Sequence, residues 1–254
     1  MGRIVYTYPA GERRLGYIGG PIPTGPNERV RGVLRSYCPG AAAAVWILVG
    51  ATAGHAGVTG NVAFTSDYVS RGISYSDNDP AVQGGFDWSH PVGVYAGIWG
   101  SSVEFGTPAH VEMDVYIGVT RPTSIGAAWS VGLAYYTYPG ASNLNYGEIY
   151  AGIAFPRLSA KLWYANDYAG THGKEFYAEA DLKLALPLAV ELVLHGGYSQ
   201  FEPVIGLRDY VDYGASLSRD YQGLNIGVSY SDTDQHQLGR LDDWKIVMTV
   251  SKHF

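Results

Sequence analysis

Cysteine is almost missing from this sequence: Cys38 is the only one in 254 residues. The chain beyond it holds neither a disulfide staple nor a thiolate metal centre. Charge is scarce too, at 16% of residues. After residue 60 no run of ~18 uninterrupted apolar residues occurs, which excludes a membrane helix from the body of the chain. Helical periodicity is lacking from Asn61 onward. Glycine-rich phosphate loops, nucleophile elbows and paired-histidine motifs are absent as well, so no cofactor, metal or catalytic residue is assigned.

What is present is a hydrophobic content of 46%, with 34 Gly and 21 Tyr. Low charge without long apolar runs fits transmembrane strands, which place apolar residues at every second position. Residues 1–32 are rich in Gly, Pro and Arg and show no apolar period; they read as an unstructured extension. Residues 33–56 read as a secretory signal peptide: a basic start at Arg35, an apolar core from Ala41 to Val49, then small residues. Cleavage is expected after Ala56, with Ala53 second, and Val30 or Val33 is a candidate true start. Cys38 precedes the apolar core, whereas a lipidated cysteine would follow it. Residues 1–56 hold six of the 17 Lys+Arg and two of the 23 acids, so the rest carries 11 bases against 21 acids, a net −10. Such an acidic chain is a poor nucleic-acid binder.

Residues 57–254 read as about 12 strands. The clearest sets Val111, Met113, Val115, Ile117 and Val119 against His110, Glu112, Asp114, Tyr116 and Thr120. The first strand is expected over 62–70, followed by a polar loop over 74–81. Over 94–105 two phases compete, Val94, Ala96 and Ile98 against Tyr95, Trp99 and Val103, and leave the strand unoriented. Connections alternate between longer polar loops and tight turns, many with Pro, an asymmetry typical of bacterial outer-membrane barrels. Acids opposite the apolar rows argue for a barrel around water, because a carboxylate in a dry core costs several kcal/mol. The fold class is all-β: a transmembrane antiparallel up-and-down barrel behind a signal peptide.

Period-two parity places Asp67, Arg71, Asp87, Glu112, Asp114, Glu148, Lys161, Glu179, Asp181, Lys183, Glu191, His195 and Asp212 on the lumen side. The excess of acids predicts a preference for cations or neutral solutes over anions. Arg71, followed by Gly72, is expected either to clamp onto Asp67 or Asp87 across the first hairpin or to line a constriction. His110, Glu112 and Asp114 share one strand face, but neighbours on a face lie ~6.5 Å apart, too far to share one ion unaided. Asp77-Asn78-Asp79 and Asp232-Thr233-Asp234 lack a full calcium-loop pattern and read as solvated loops. In the last strand Trp244, Ile246, Met248, Val250 and Phe254 form an outward apolar row, with Lys252 the exception. A strand ending on an aromatic is similar to the assembly signal read by the outer-membrane barrel-assembly machinery.

One stretch carries a family resemblance. Thr65-Ser66-Asp67-Tyr68-Val69-Ser70-Arg71-Gly72-Ile73-Ser74, Asp79-Pro80-Ala81-Val82-Gln83-Gly84-Gly85 and Tyr95-Ala96-Gly97-Ile98-Trp99-Gly100-Ser101 stand in order within residues 65–103. Tyr135-Tyr136-Thr137-Tyr138-Pro139-Gly140, Glu148-Ile149-Tyr150 and Ser251-Lys252-His253-Phe254 follow. These blocks resemble the TorF-family porins (the Gcw_chp family) of proteobacterial outer membranes. The resemblance implies a Gram-negative outer-membrane barrel of porin role, with no substrate or catalytic residue to carry over. The expected function is passive diffusion of small hydrophilic solutes, with outer-membrane lipid and the assembly machinery as partners. The alternatives are a barrel enzyme of phospholipase type, for which His90 lacks an evident serine partner, and a plugged structural barrel.

Overall fold

Alternation with a period of two turns the chain into a wall with one apolar and one polar face. The structure is a computed structural model and describes residues 56–254. The expected extension 1–32 and the leader 33–56, up to its last residue, lie outside the described residues. The strands are β1 (Gly57–Thr65), β2 (Val69–Ser70), β3 (Ile73–Ser74), β4 (Ala81–Ser89), β5 (Val94–Ser102), β6 (Val111–Pro122) and β7 (Ala128–Thr137). They continue as β8 (Tyr146–Ala154), β9 (Leu158–Ala165), β10 (Glu175–Leu186), β11 (Val190–Phe201), β12 (Tyr210–Tyr221), β13 (Leu224–Thr233) and β14 (Lys245–His253). Twelve of them close into one up-and-down antiparallel barrel, and β2 and β3 form a separate hairpin.

Closure matters because an open strand edge would leave backbone groups unpaired. The seam joins β1 to β14, from Asn61 opposite His253 to Thr65 opposite Thr249. Beyond it Gly60 and Phe254 exchange backbone hydrogen bonds of 2.7 and 2.9 Å. The Phe254 ring lies edge-on to Phe86, 6.3 Å between centroids. A Cβ at residue 60 would lie 2.7 Å from that ring, which packs directly over the glycine.

β6 shows the two faces. Met113 and Ile117 are 54% and 52% exposed on the outer wall, while Glu112 and Asp114, on either side of Met113, are buried. The unoriented strand resolves the same way: β5 exposes Ile98 outward and turns Tyr95, Trp99 and Ser101 inward. Five short turns (90–93, 123–127, 155–157, 187–189 and 222–223) close one end, here the turn end. Longer connections gather at the other, the loop end.

The first of those connections departs from expectation. Residues 62–70 do not form one strand: the chain leaves the wall after Thr65, folds into the barrel and rejoins the wall at Ala81. The reason lies in side chains that a solvated loop could not satisfy. Tyr68, Ile73 and Tyr75 are 3–6% exposed and join one interior cluster with Trp99, Phe105, Tyr138, Tyr168 and Tyr210. Burying a large apolar side chain is worth about 1.5–3 kcal/mol, and Asp67 ties the segment internally by accepting from the Ser74 and Ser76 hydroxyls at 2.6 and 2.9 Å.

Candidate functional site

At the tip of the inserted segment Arg71 and Gly72 link β2 to β3. Both have positive φ, 47° and 77°, the backbone signature of a tight two-residue hairpin turn. A side chain at residue 72 would lie 2.9 Å from the Cβ atoms of Asp212 and Thr233, so the tip rests against β12 and β13. From there the Arg71 guanidinium reaches β8 and β10. It donates through Nη2 to Glu148 Oε1 at 2.8 Å and through Nη1 to Glu175 Oε1 at 2.7 Å. All three side chains are at most 2% exposed. The guanidinium also lies over the Tyr177 ring, 4.3 Å from its centroid, and the Tyr210 hydroxyl donates to the Arg71 carbonyl at 3.0 Å. Arg71 therefore spans the barrel rather than clamping onto Asp67 or Asp87. Buried charges of this kind hold only when paired and hydrogen-bonded, and here both carboxylates meet one cation.

The other interior groups at this level are equally dry. The Tyr68 hydroxyl donates to Glu112 Oε1 at 3.0 Å, and the Tyr136 hydroxyl donates to Glu148 Oε2 at 2.7 Å. Asp114, 3% exposed, has no hydrogen-bond partner for either carboxylate oxygen. Burial pushes the Asp67 carboxyl above its ordinary pKa, against the lowering effect of its two serine hydrogen bonds. The expectation of a watery lumen is thus corrected for Asp67, Arg71, Glu112, Asp114, Glu148 and Asp212. All lie inside the barrel, but the first connection fills the space beside them.

Toward the turn end the interior opens. Asp87, Lys161, Glu179, Asp181, Lys183 and His195 are inward and half-exposed, and Glu191 is exposed at the rim. Asp87 accepts from the Tyr116 hydroxyl. The Lys161 ammonium lies over the rings of Trp163 and Tyr150, at 4.8 and 5.5 Å. Trp163 Nε1 donates to Glu179 at 2.9 Å. His195 stands between two carboxylates, Nδ1 at 2.7 Å from Asp181 and Nε2 at 2.9 Å from Asp212.

Of the remaining candidates, His110 is exposed and pairs with Glu104 at 3.3 Å, away from Glu112 and Asp114. Asp77 pairs with Arg240, and Asp232 accepts from the Tyr213 and Tyr230 hydroxyls, so neither acidic loop converges on one ion. His90 sits in a turn, where Nδ1 accepts the Val92 N–H at 3.2 Å. Trp244, Ile246, Met248, Val250 and Phe254 are all exposed on the outer wall. Glu175, absent from the inward set expected by parity, opens β10 and is in phase with Tyr177 and Glu179.

A family model described as "Bacterial protein of unknown function (Gcw_chp)" matches residues 49–254. Among solved structures, the KdgM porin aligns with a TM-score of 0.51 at 9% identity, covering 77% of this chain and 98% of its own. The NanC porin, in a rhombohedral crystal form, gives the same values. At such identity the likeness is one of fold. No curated protein matches in sequence.

Proposed function

The chain belongs to the Gcw_chp family, and we propose that it is a porin-like outer-membrane channel whose first connection is its gate. The observation that carries this reading is the Arg71 latch to Glu148 and Glu175 inside a closed barrel with an apolar outer wall. The porin fold of the two similar structures supports it, as does the resemblance of residues 65–103 to TorF-family porins. Export by the 33–56 leader and insertion through the 244–254 strand complete the reading, and the barrel acts as a passage rather than an enzyme. Small hydrophilic solutes, cations or neutral molecules before anions, pass when segment 66–80 swings aside, because the four acids Asp87, Glu179, Asp181 and Glu191 outnumber Lys161 and Lys183 in the open half.

Liposome swelling with sugars, amino acids and organic acids tests this on the wild-type barrel and on Arg71→Ala. The variant is expected to admit solutes faster than the wild type. A second reading, a permanently closed structural barrel, is favoured by the same latch. It prevails if the folded variant and the wild type are both impermeable.

A further inference from the structure

The cluster around His195 is no part of the Arg71 latch. Glu179 and Asp181 are two apart on β10 and share its inward face. In register, Asp181 lies opposite His195 and Glu179 opposite Gly197. One ligand atom from each of Glu179, Asp181 and His195 falls within 4.8 Å of the others. A four-coordinate ion holding nitrogen and oxygen at ~2.1 Å separates its ligands by roughly 3.3 Å, so the widest pair draws in by at most about 1.5 Å while His195 and Asp181, 2.7 Å apart, ease outward. All three are half-exposed toward the open end, where an ion has access.

Two further observations point to a ligand. Metal-binding histidines commonly donate their second ring N–H to a carboxylate, which fixes the ring. Asp212 stands in that place: Oδ1 is 2.9 Å from Nε2 and is itself held by the Tyr177 hydroxyl at 3.2 Å. Asp212 is 1% exposed, yet its Oδ2 has no partner. That oxygen and the Tyr177 hydroxyl occupy the space that a Cβ at Gly197 would take, 2.4 and 2.2 Å from it, and Gly197 lies in register between Asp212 and Glu179. Trp163 Nε1 holds one Glu179 oxygen, and Lys161 stands opposite Glu179 on β9.

We propose that Glu179, Asp181 and His195 bind one divalent transition-metal ion, with Asp212 as the positioning residue behind His195. The ion takes the place of the proton between His195 Nδ1 and Asp181. One imidazole and two carboxylates suit Zn²⁺ or Mn²⁺ better than Ca²⁺ or Cu⁺. The site stands whether or not the barrel conducts, since binding is read on the folded protein alone.

The test is calorimetric titration of the chelator-stripped, full barrel in detergent with ZnCl₂ and with MnCl₂. Saturable 1:1 binding is expected, weakened about 10–100-fold by Asp212→Asn and at least as much by Glu179→Gln, Asp181→Asn or His195→Gln. Glu191→Gln, at the rim, leaves it unchanged. Retained heat-modifiable mobility shows which variants fold. Independently of any variant, pulsed EPR of the Mn²⁺-loaded wild type should show coupling to one imidazole nitrogen. Absence of saturable binding, equal binding by the folded variants, or Mn²⁺ without nitrogen coupling would each overturn the proposal.

Discussion

The two halves of the barrel interior are built on the same twelve strands and the same alternation, yet they are different solvents. Near the loop end Glu112, Asp114, Glu148, Glu175 and Asp212 are 0–3% exposed. Near the turn end Asp87, Glu179 and Asp181, in the same inward phase, are half-exposed. The strands do not make this difference; segment 66–80 does, by filling one half and leaving the other. An inward carboxylate on a barrel strand is consequently no measure of how wet the barrel is.

The comparison breaks most visibly at Arg71. Arg71→Ala strands two buried carboxylates and should cost about 3–5 kcal/mol of resistance to denaturant, concentrated in the loop-end half. Equilibrium unfolding in detergent, followed by the fluorescence of buried Trp163 and half-buried Trp99, measures it. A loss no larger than that of a surface substitution would mean that the latch holds nothing.

The outer wall provides the reference, because it is apolar along both halves. Ile117→Arg should cost ~2–4 kcal/mol if it lies near the bilayer centre, whichever half is plugged. The same unfolding experiment in lipid vesicles reads it, and an effect near zero would remove the outer wall from the membrane.

Glycine sharpens the contrast at smaller scale. Gly72 and Gly223 have nearly the same backbone, φ 77° and 79°. A Cβ at 72 meets the Cβ atoms of Asp212 and Thr233, whereas a Cβ at 223 meets nothing within 4 Å. Gly223→Ala should therefore cost only the left-handed backbone penalty, about 1–2 kcal/mol, and Gly72→Ala visibly more. Equal losses in paired unfolding curves would mean that the hairpin tip does not touch the wall. The smallest effect belongs to the rim: Glu191→Ala should stay within about 0.5 kcal/mol of the wild type.

The wall was legible in the sequence because period-two alternation is a local property. Val111 to Val119 announces its faces without reference to any partner, and the long-loop, short-turn asymmetry orders the strands. What was not legible depends on contacts distant in sequence. Arg71 looks toward Asp67 when read locally, but its partners are Glu148 and Glu175, brought together by barrel closure. Tyr68 and Tyr75 carried the only local hint, since aromatic residues flanking an Arg-Gly turn suit burial better than a solvated loop. His195 and Asp181 meet through register between β10 and β11, which spacing alone does not fix. Strand 94–105 was ambiguous for a related reason. Its inward Tyr95 and Trp99 face protein rather than water, so both of its faces are apolar.

Thiol accessibility tests the division of the interior most directly. Ser199 on β11 is 0% exposed and Ser216 on β12 is half-exposed, and both point inward. With Cys38 replaced by serine, each is changed to cysteine and the folded barrel is treated with a membrane-impermeant maleimide. Ser216→Cys should label readily, and Ser199→Cys only after denaturation or on release of the Arg71 latch. Equal labelling of the two in the otherwise native barrel would show that segment 66–80 does not fill the loop-end half.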